Sequence, residues 1–355
     1  MTAAPAPCVF GGEHGLSLPI SPAPNSLHEE LTAAFPHLAW FASGRDAFGA
    51  LVTASSPWVW WLPDYCCASL YQPLLAASRE IRRYAIREDF GADLSSLADL
   101  RPEHGIVLVH FFGFLDEALH ERVLDSDALG VLDITHSLLN LVRVQPFFSR
   151  FPLVLASLRK IGPFPDLGLL GSASPTPPAA WPRIAPHFRT AFSDLRTESL
   201  QARHRFLTQG DDPSVHLANL ETAERLLDET REFGFCAGEL SLSLLHGFSA
   251  DTLRRRTQTN LEFMRSRLPE ALVVPEIVPA GCSPWLPMTL PDRASRDALR
   301  VDLRRHQMFL PVHWPPIFET SHPFSDHLLS IPCDYRYNSE QLARVIHQIK
   351  DSLHV

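Results

Sequence analysis

Between residues 58 and 170, short apolar runs alternate with helical stretches, and this order constrains the fold more than any other feature of the chain. Residues 58–62 form an apolar run that stops at Pro63-Asp64; 67–77 reads as helix and 81–86 as strand. Residues 106–110 are a buried strand ending in Phe111-Phe112-Gly113, and 116–124 are helical. Further apolar runs at 130–133, 152–156 and 167–170 complete the series. Unbroken apolar strands interleaved with helices specify an α/β fold with a mainly parallel sheet covered on both faces.

The flanking regions read differently. Residues 1–27 are rich in Pro and Ser and are expected to form an amino-terminal arm draped over the surface. Residues 27–35 read as a short helix, and Ser43-Gly44-Arg45-Asp46 opens another at 47–52, with Ser43 as N-cap. Helices are expected at 183–207, 214–232, 239–247 and 249–267, strands at 272–274 and 285–289, and helices again at 293–306 and 339–353. The reading is a large domain over 28–248 and a smaller C-terminal α/β domain over 249–355.

Several function classes fall away on composition. Net charge is −9, and no basic stretch is long enough to neutralise a run of phosphates, so nucleic acid is not an expected partner. No apolar stretch approaches a membrane span, and the amino terminus lacks a basic start followed by a long apolar region. Cys8, Cys66, Cys67, Cys236, Cys282 and Cys333 are scattered without zinc-ligand spacing, which fits reduced thiols in a cytoplasmic protein and no metal site.

Of 31 basic residues only Lys160 and Lys350 are lysine. Lys350 stands on a charged C-terminal helix. Lys160 follows an apolar run, in Ser157-Leu158-Arg159-Lys160-Ile161-Gly162. Arginine stays protonated, whereas lysine can be desolvated, lose its proton and form an imine with a carbonyl. A chance survivor at a strand end is the alternative. Two other features fall at strand or helix ends, where parallel sheets gather functional groups. Ser43-Gly44-Arg45 lies at a helix start, which suits either a phosphate cradle or a plain cap turn. Asp133 ends a buried strand and needs a cation or several donors, or serves as an N-cap. An isolated lysine, a buried carboxylate and a phosphate cradle are together what pyridoxal 5'-phosphate requires. His136 either reaches the ring hydroxyl of that cofactor or packs in a loop. Tyr65 either stacks on its ring or is a core aromatic, and Ser157 either bonds the phosphate or caps a turn.

These segments resemble the DegT/DnrJ/EryC1/StrS family of fold-type-I pyridoxal-phosphate aminotransferases, in a shorter, divergent branch. The resemblance is carried by Ser43-Gly44-Arg45-Asp46-Ala47, Leu62-Pro63-Asp64-Tyr65, Val109-His110-Phe111-Phe112-Gly113, Asp133-Ile134-Thr135-His136-Ser137 and Ser157-Leu158-Arg159-Lys160. Leu240-Ser241-Leu242-Ser243, Arg254-Arg255-Arg256 with Asn260, Pro311-Val312-His313-Trp314-Pro315 and Ile331 to Tyr337 extend it through the C-terminal third. A Gly-Glu-Gly-Gly stretch common after the family's lysine is replaced by Pro165-Asp166-Leu167-Gly168, and the family's stacking aromatic falls at Cys67 or Tyr65. The resemblance implies an aminotransferase taking an amine from an amino acid such as glutamate to a keto acceptor, a nucleotide-linked keto sugar by analogy. It also implies a homodimer. His313 and Trp314 either contact substrate or turn the chain tightly between two prolines, and Arg336 either holds a substrate carboxylate or phosphate or pairs with Asp334 on the surface. A lyase or decarboxylase using the same cofactor, and a degenerate protein of the same fold without catalysis, are the rival readings.

Overall fold

In the computed structural model, residues 9–148, 150–184, 186–274, 282–317 and 322–354 are described. The central sheet is built from β2 (His37–Phe41), β3 (Val59–Pro63), β4 (Glu80–Tyr84), β5 (Gly105–Val109), β6 (Leu129–Asp133), β7 (Leu153–Ser157) and β8 (Gly168–Ser172), after a two-residue β1 (Phe10–Gly11). Its strand order is β2-β8-β7-β6-β5-β3-β4. The five strands from β7 to β4 run parallel, while β8 is antiparallel to both β7 and β2. The sheet is therefore mixed at one edge. The strand β2 was not expected, and the direction of β8 cannot be read from its residues.

Alternating side chains of the parallel strands enter two cores. Ile106, Leu108, Leu132 and Val154 face one, and Val107, Val131, Leu153 and Leu155 face the other. Such burial on both faces explains the unbroken apolar runs. On the second face lie α2 (Gly44–Ala54) and α3 (Ala68–Ala76), through Leu51, Leu70 and Leu74. The first face carries residues of α1 (Leu27–Ala34), α4 (Glu117–Leu124) and α5 (Leu141–Phe148). Register places Asp133 beside Val109 on β5 and Leu155 on β7, at the carboxyl edge of the sheet.

Four helices follow: α6 (Thr190–Gln209), α7 (Ser214–Glu229), α8 (Glu239–Leu245) and α9 (Ala250–Arg265). The first starts seven residues later than expected; Pro186, inside the expected span, lacks the N–H a helix interior needs and disfavours helix before it. The expected strand at 272–274 is instead a 3-10 turn, Glu270–Leu272, followed by a single bridge from Val273 to Met288.

A separate hydrophobic cluster forms around β9 (Trp285–Thr289), α10 (Arg293–Arg305), β10 (Met308–Phe309) and, after the short α11 (Pro323–His327), β11 (Leu328–Pro332) and α12 (Ser339–Leu353). β9 and β11 are antiparallel. Leu342, Val345, Ile346 and Ile349 give α12 its buried face at helical spacing. The amino-terminal segment does not merely drape over the surface. Phe10 is buried in this cluster with its ring centroid 4.2 Å from that of Tyr337, and β1 pairs parallel to β10. Gly11, at φ 78°, permits that pairing, since a Cβ there would meet the Phe309 carbonyl oxygen at 2.0 Å.

Candidate active site

The ends of β6 and β7, the start of α2, one side of α7 and the segment around His313 enclose a cavity of about 280 Å³. Ser43, Gly44, Arg45, Asp133, His136 and Ser157 line it, as do Lys160, His313 and Trp314. Two of the residues singled out from sequence, Tyr65 and Arg336, do not.

Lys160 ends the 3-10 turn Leu158–Lys160 that directly follows β7. It is exposed, and no salt bridge engages it among the described residues. Asp133, one strand away, accepts the Thr135 N–H at 2.9 Å through Oδ1. No cation reaches it among the described residues. Burial raises its pKa, against the opposing hydrogen bonds of Thr135. A carboxylate held in a cavity without a counter-cation is suited to a cationic or N–H-bearing ligand.

His136 accepts the Phe112 N–H at Nδ1 (3.1 Å), which leaves its proton on Nε2. Its ring stacks on Trp314, with centroids 5.4 Å apart and planes at 21°. Burial, reinforced by the charge of Lys160, pushes its pKa down to about 3, so the ring is neutral at pH 7. His313 is likewise buried and held well below the usual range by burial, His136 and Lys160, and its Nδ1 lies 2.8 Å from Ser330 Oγ.

Ser43 caps α2: its Oγ accepts the Asp46 N–H at 3.0 Å and donates to Asp46 Oδ2 at 2.7 Å. Asp46 is fully buried and also receives Arg189, whose Nη2 lies 2.9 Å from Oδ1. The turn is thus fixed from behind, and Ser43, Gly44 and Arg45 at the helix start, where backbone N–H groups lack intrahelical partners, line the cavity. Ser157 makes no capping bond, so its hydroxyl is not used to close the turn to Lys160. Its backbone N–H donates to Thr135 Oγ1 at 3.1 Å. Arg45 turns onto α7, donating to the Leu227 carbonyl and pairing with Asp228 at 3.0 Å.

Tyr65 is a core aromatic. Its hydroxyl donates to the His313 carbonyl, and its ring packs against Phe111, Trp314, His322 and Phe324. It therefore buttresses the segment bearing His313 and Trp314, and Cys67 lines the cavity in its stead. Arg336 is paired in two places with Asp334, at 2.7 Å each, and also bonds the carbonyls of Gly12 and Glu13. The arrangement also recruits residues that the sequence does not mark. Glu224 on α7 lines the cavity and pairs with Arg159 at 3.3 Å. Burial would raise its pKa, but Arg159, Arg196 and Lys160 together hold it below the usual carboxylate range.

Nothing in the local sequence of α7 marks Glu224, because its placement depends on packing across the whole domain. These residues fit pyridoxal phosphate: an unpaired lysine, an uncompensated carboxylate and a capped helix start converge on a single cavity.

No protein-family model matches the sequence. No curated protein matches it either. Solved structures do resemble the fold along nearly its whole length. Helicobacter pylori PseC, described as an aminotransferase involved in the biosynthesis of pseudoaminic acid, superposes with a TM-score of 0.66 at 12% identity, over 98% of this chain and 99% of that one. DesV from S. venezuelae gives 0.63 at 15% identity over 93% and 89%. The putative sugar aminotransferase Spr1654 from Streptococcus pneumoniae gives 0.63 at 12% over 95% and 92%. At such identities the likeness establishes architecture: the chain has the fold-type-I aminotransferase fold, a large mixed sheet joined to a smaller C-terminal unit.

Proposed function

We propose that the protein is a pyridoxal-phosphate-dependent aminotransferase that takes an amino group from an amino acid such as glutamate to a keto acceptor of the sugar class. The observation that carries this reading is the pairing of Lys160 and Asp133, neither with an ionic partner among the described residues, on adjacent strand ends of one cavity. When bound, the cofactor supplies an electron sink for negative charge at the substrate α-carbon. Lys160 Nζ supplies the amine that captures an aldehyde and the base that moves the proton at the substrate α-carbon. Asp133 holds a proton on a ring nitrogen by its negative charge. The N–H groups at the start of α2 and the Ser157 hydroxyl bind a phosphate, and His136 Nε2–H donates to a ring oxygen. The sugar class rests on likeness to the Helicobacter and Streptococcus proteins, which is a fold-level analogy.

The test is the visible spectrum of the purified protein with added pyridoxal phosphate, beside Lys160→Ala. A long-wavelength band that borohydride fixes onto Lys160, located by peptide mass, and that glutamate bleaches is the expected result. A band that glutamate leaves intact would favour another donor or the lyase reading. No band, and no difference from Lys160→Ala, would remove the enzyme reading.

A further inference from the structure

A second cavity, of about 430 Å³, lies on the other side of Lys160 and shares Arg159, Lys160 and His313 with the first. Its walls come from the amino-terminal segment at Gly12–His14, from α6 and α7, and from the C-terminal cluster. Its apolar lining includes Phe206, Leu217, Leu220 and Phe309.

The charges around it do not balance. Glu13 and Asp334 are the acidic residues in the wall. Glu13 is engaged by Arg196 at 2.7 Å, and Asp334 by Arg336. Arg159 is matched by Glu224. Lys160, Arg203 and Arg304 then remain without a carboxylate partner among the described residues. Arg304 is exposed to solvent at the rim. Arg203 is not: it is 6% exposed, its Nη2 donates to the Gly11 carbonyl at 3.1 Å, its guanidinium lies 5.4 Å from the Phe206 ring centroid, and its Nε has no hydrogen-bond partner among the described residues. A buried guanidinium without a carboxylate partner is costly unless an anion meets it. Gly12 leaves room for it, since a Cβ there would lie 3.2 Å from Nη2.

We infer that this chamber binds the anionic end of the acceptor, a carboxylate or phosphate carried on an apolar body, with Arg203 as the buried anchor and Arg304 at the rim. The inference rests on the cofactor reading for the part of the acceptor that reaches Lys160. It extends that reading by making an anion, and not the keto group alone, the specificity element.

The test is calorimetric titration of the cofactor-loaded protein with octanoate, octyl phosphate and octanol, repeated on Arg203→Met, with the visible band recorded on the same samples. At least one anionic probe should bind about tenfold or more tightly than octanol, and Arg203→Met should abolish that preference. Whichever anion binds better identifies the group. Equal binding of all three probes, or an anion preference that survives Arg203→Met, overturns the inference. Anion preference without a visible band would remove the cofactor reading and leave the chamber standing; a band without anion preference would do the reverse. If Arg203→Met fails to fold, Arg304→Ala decides: it should weaken the anionic probes about threefold and leave octanol unchanged, and undiminished anion binding refutes the assignment.

Discussion

Arg189→Met should destabilise the fold through a carboxylate that has nowhere else to turn. Asp46 is fully buried, and Arg189 reaches it with Nε at 3.1 and 3.2 Å and with Nη2 at 2.9 Å. Among the described residues its one other side-chain donor is the Ser43 hydroxyl. Removing the guanidinium leaves a charge in the interior with one hydroxyl, and breaking such a pair costs about 3–5 kcal/mol. At about 2.1 cal/mol/K per residue, a chain of 355 residues has an unfolding entropy of about 0.75 kcal/mol/K, so Tm should fall by about 4–7 °C. The double variant Asp46→Leu/Arg189→Met removes the stranded charge and should recover at least half of that loss. Because Asp46 also orients Ser43 at the head of α2, Arg189→Met should need more pyridoxal phosphate to reach half of its visible band. Calorimetric melts of the two single variants and the double variant, with a cofactor titration, measure all of this. A Tm change under about 1.5 °C for Arg189→Met, or losses that simply add in the double variant, would refute the reasoning.

Two further variants probe the cavity itself. Asp133→Asn should raise the stability of the cofactor-free protein at pH 8 while weakening the cofactor band. Burial raises the folded-state pKa of Asp133, so its contribution to stability is fully present below the unfolded carboxylate pKa and is lost as pH rises through the folded one. The advantage of the amide should therefore shrink as melts are taken toward pH 4, and a pH-independent difference would contradict the assignment. Gly168→Ala would place a Cβ 2.2 Å from the Ser43 carbonyl carbon and 2.5 Å from the Gly44 nitrogen, both backbone atoms. About 1–3 kcal/mol of stability should be lost and cofactor affinity should drop as β8 pushes the α2 turn away, and unchanged melts and titrations would show that the turn yields freely.

What the sequence determined by itself was local. Strands buried on both faces are almost wholly apolar, so a polar residue at a strand end, such as Asp133 or Lys160, stands out against its neighbours. Ser43 and Asp46 were legible for the same reason, since a cap acts within one helical turn. The short β2 strand, with half-buried His37, Leu38 and Trp40, carried no such contrast, and the direction of β8 depends on which neighbour it pairs with. Tertiary structure alone decided what each marked residue does. Tyr65 is turned under Trp314 by packing against Phe111 and Phe324, and Arg336 is drawn onto Asp334. Glu224, Arg203 and Glu13 reach the two chambers from α7, α6 and the amino-terminal segment respectively, far from Lys160 in the chain. Propensity and capping act over a few residues, but a cavity is made where distant elements meet, and long-range packing decides which side chains share it.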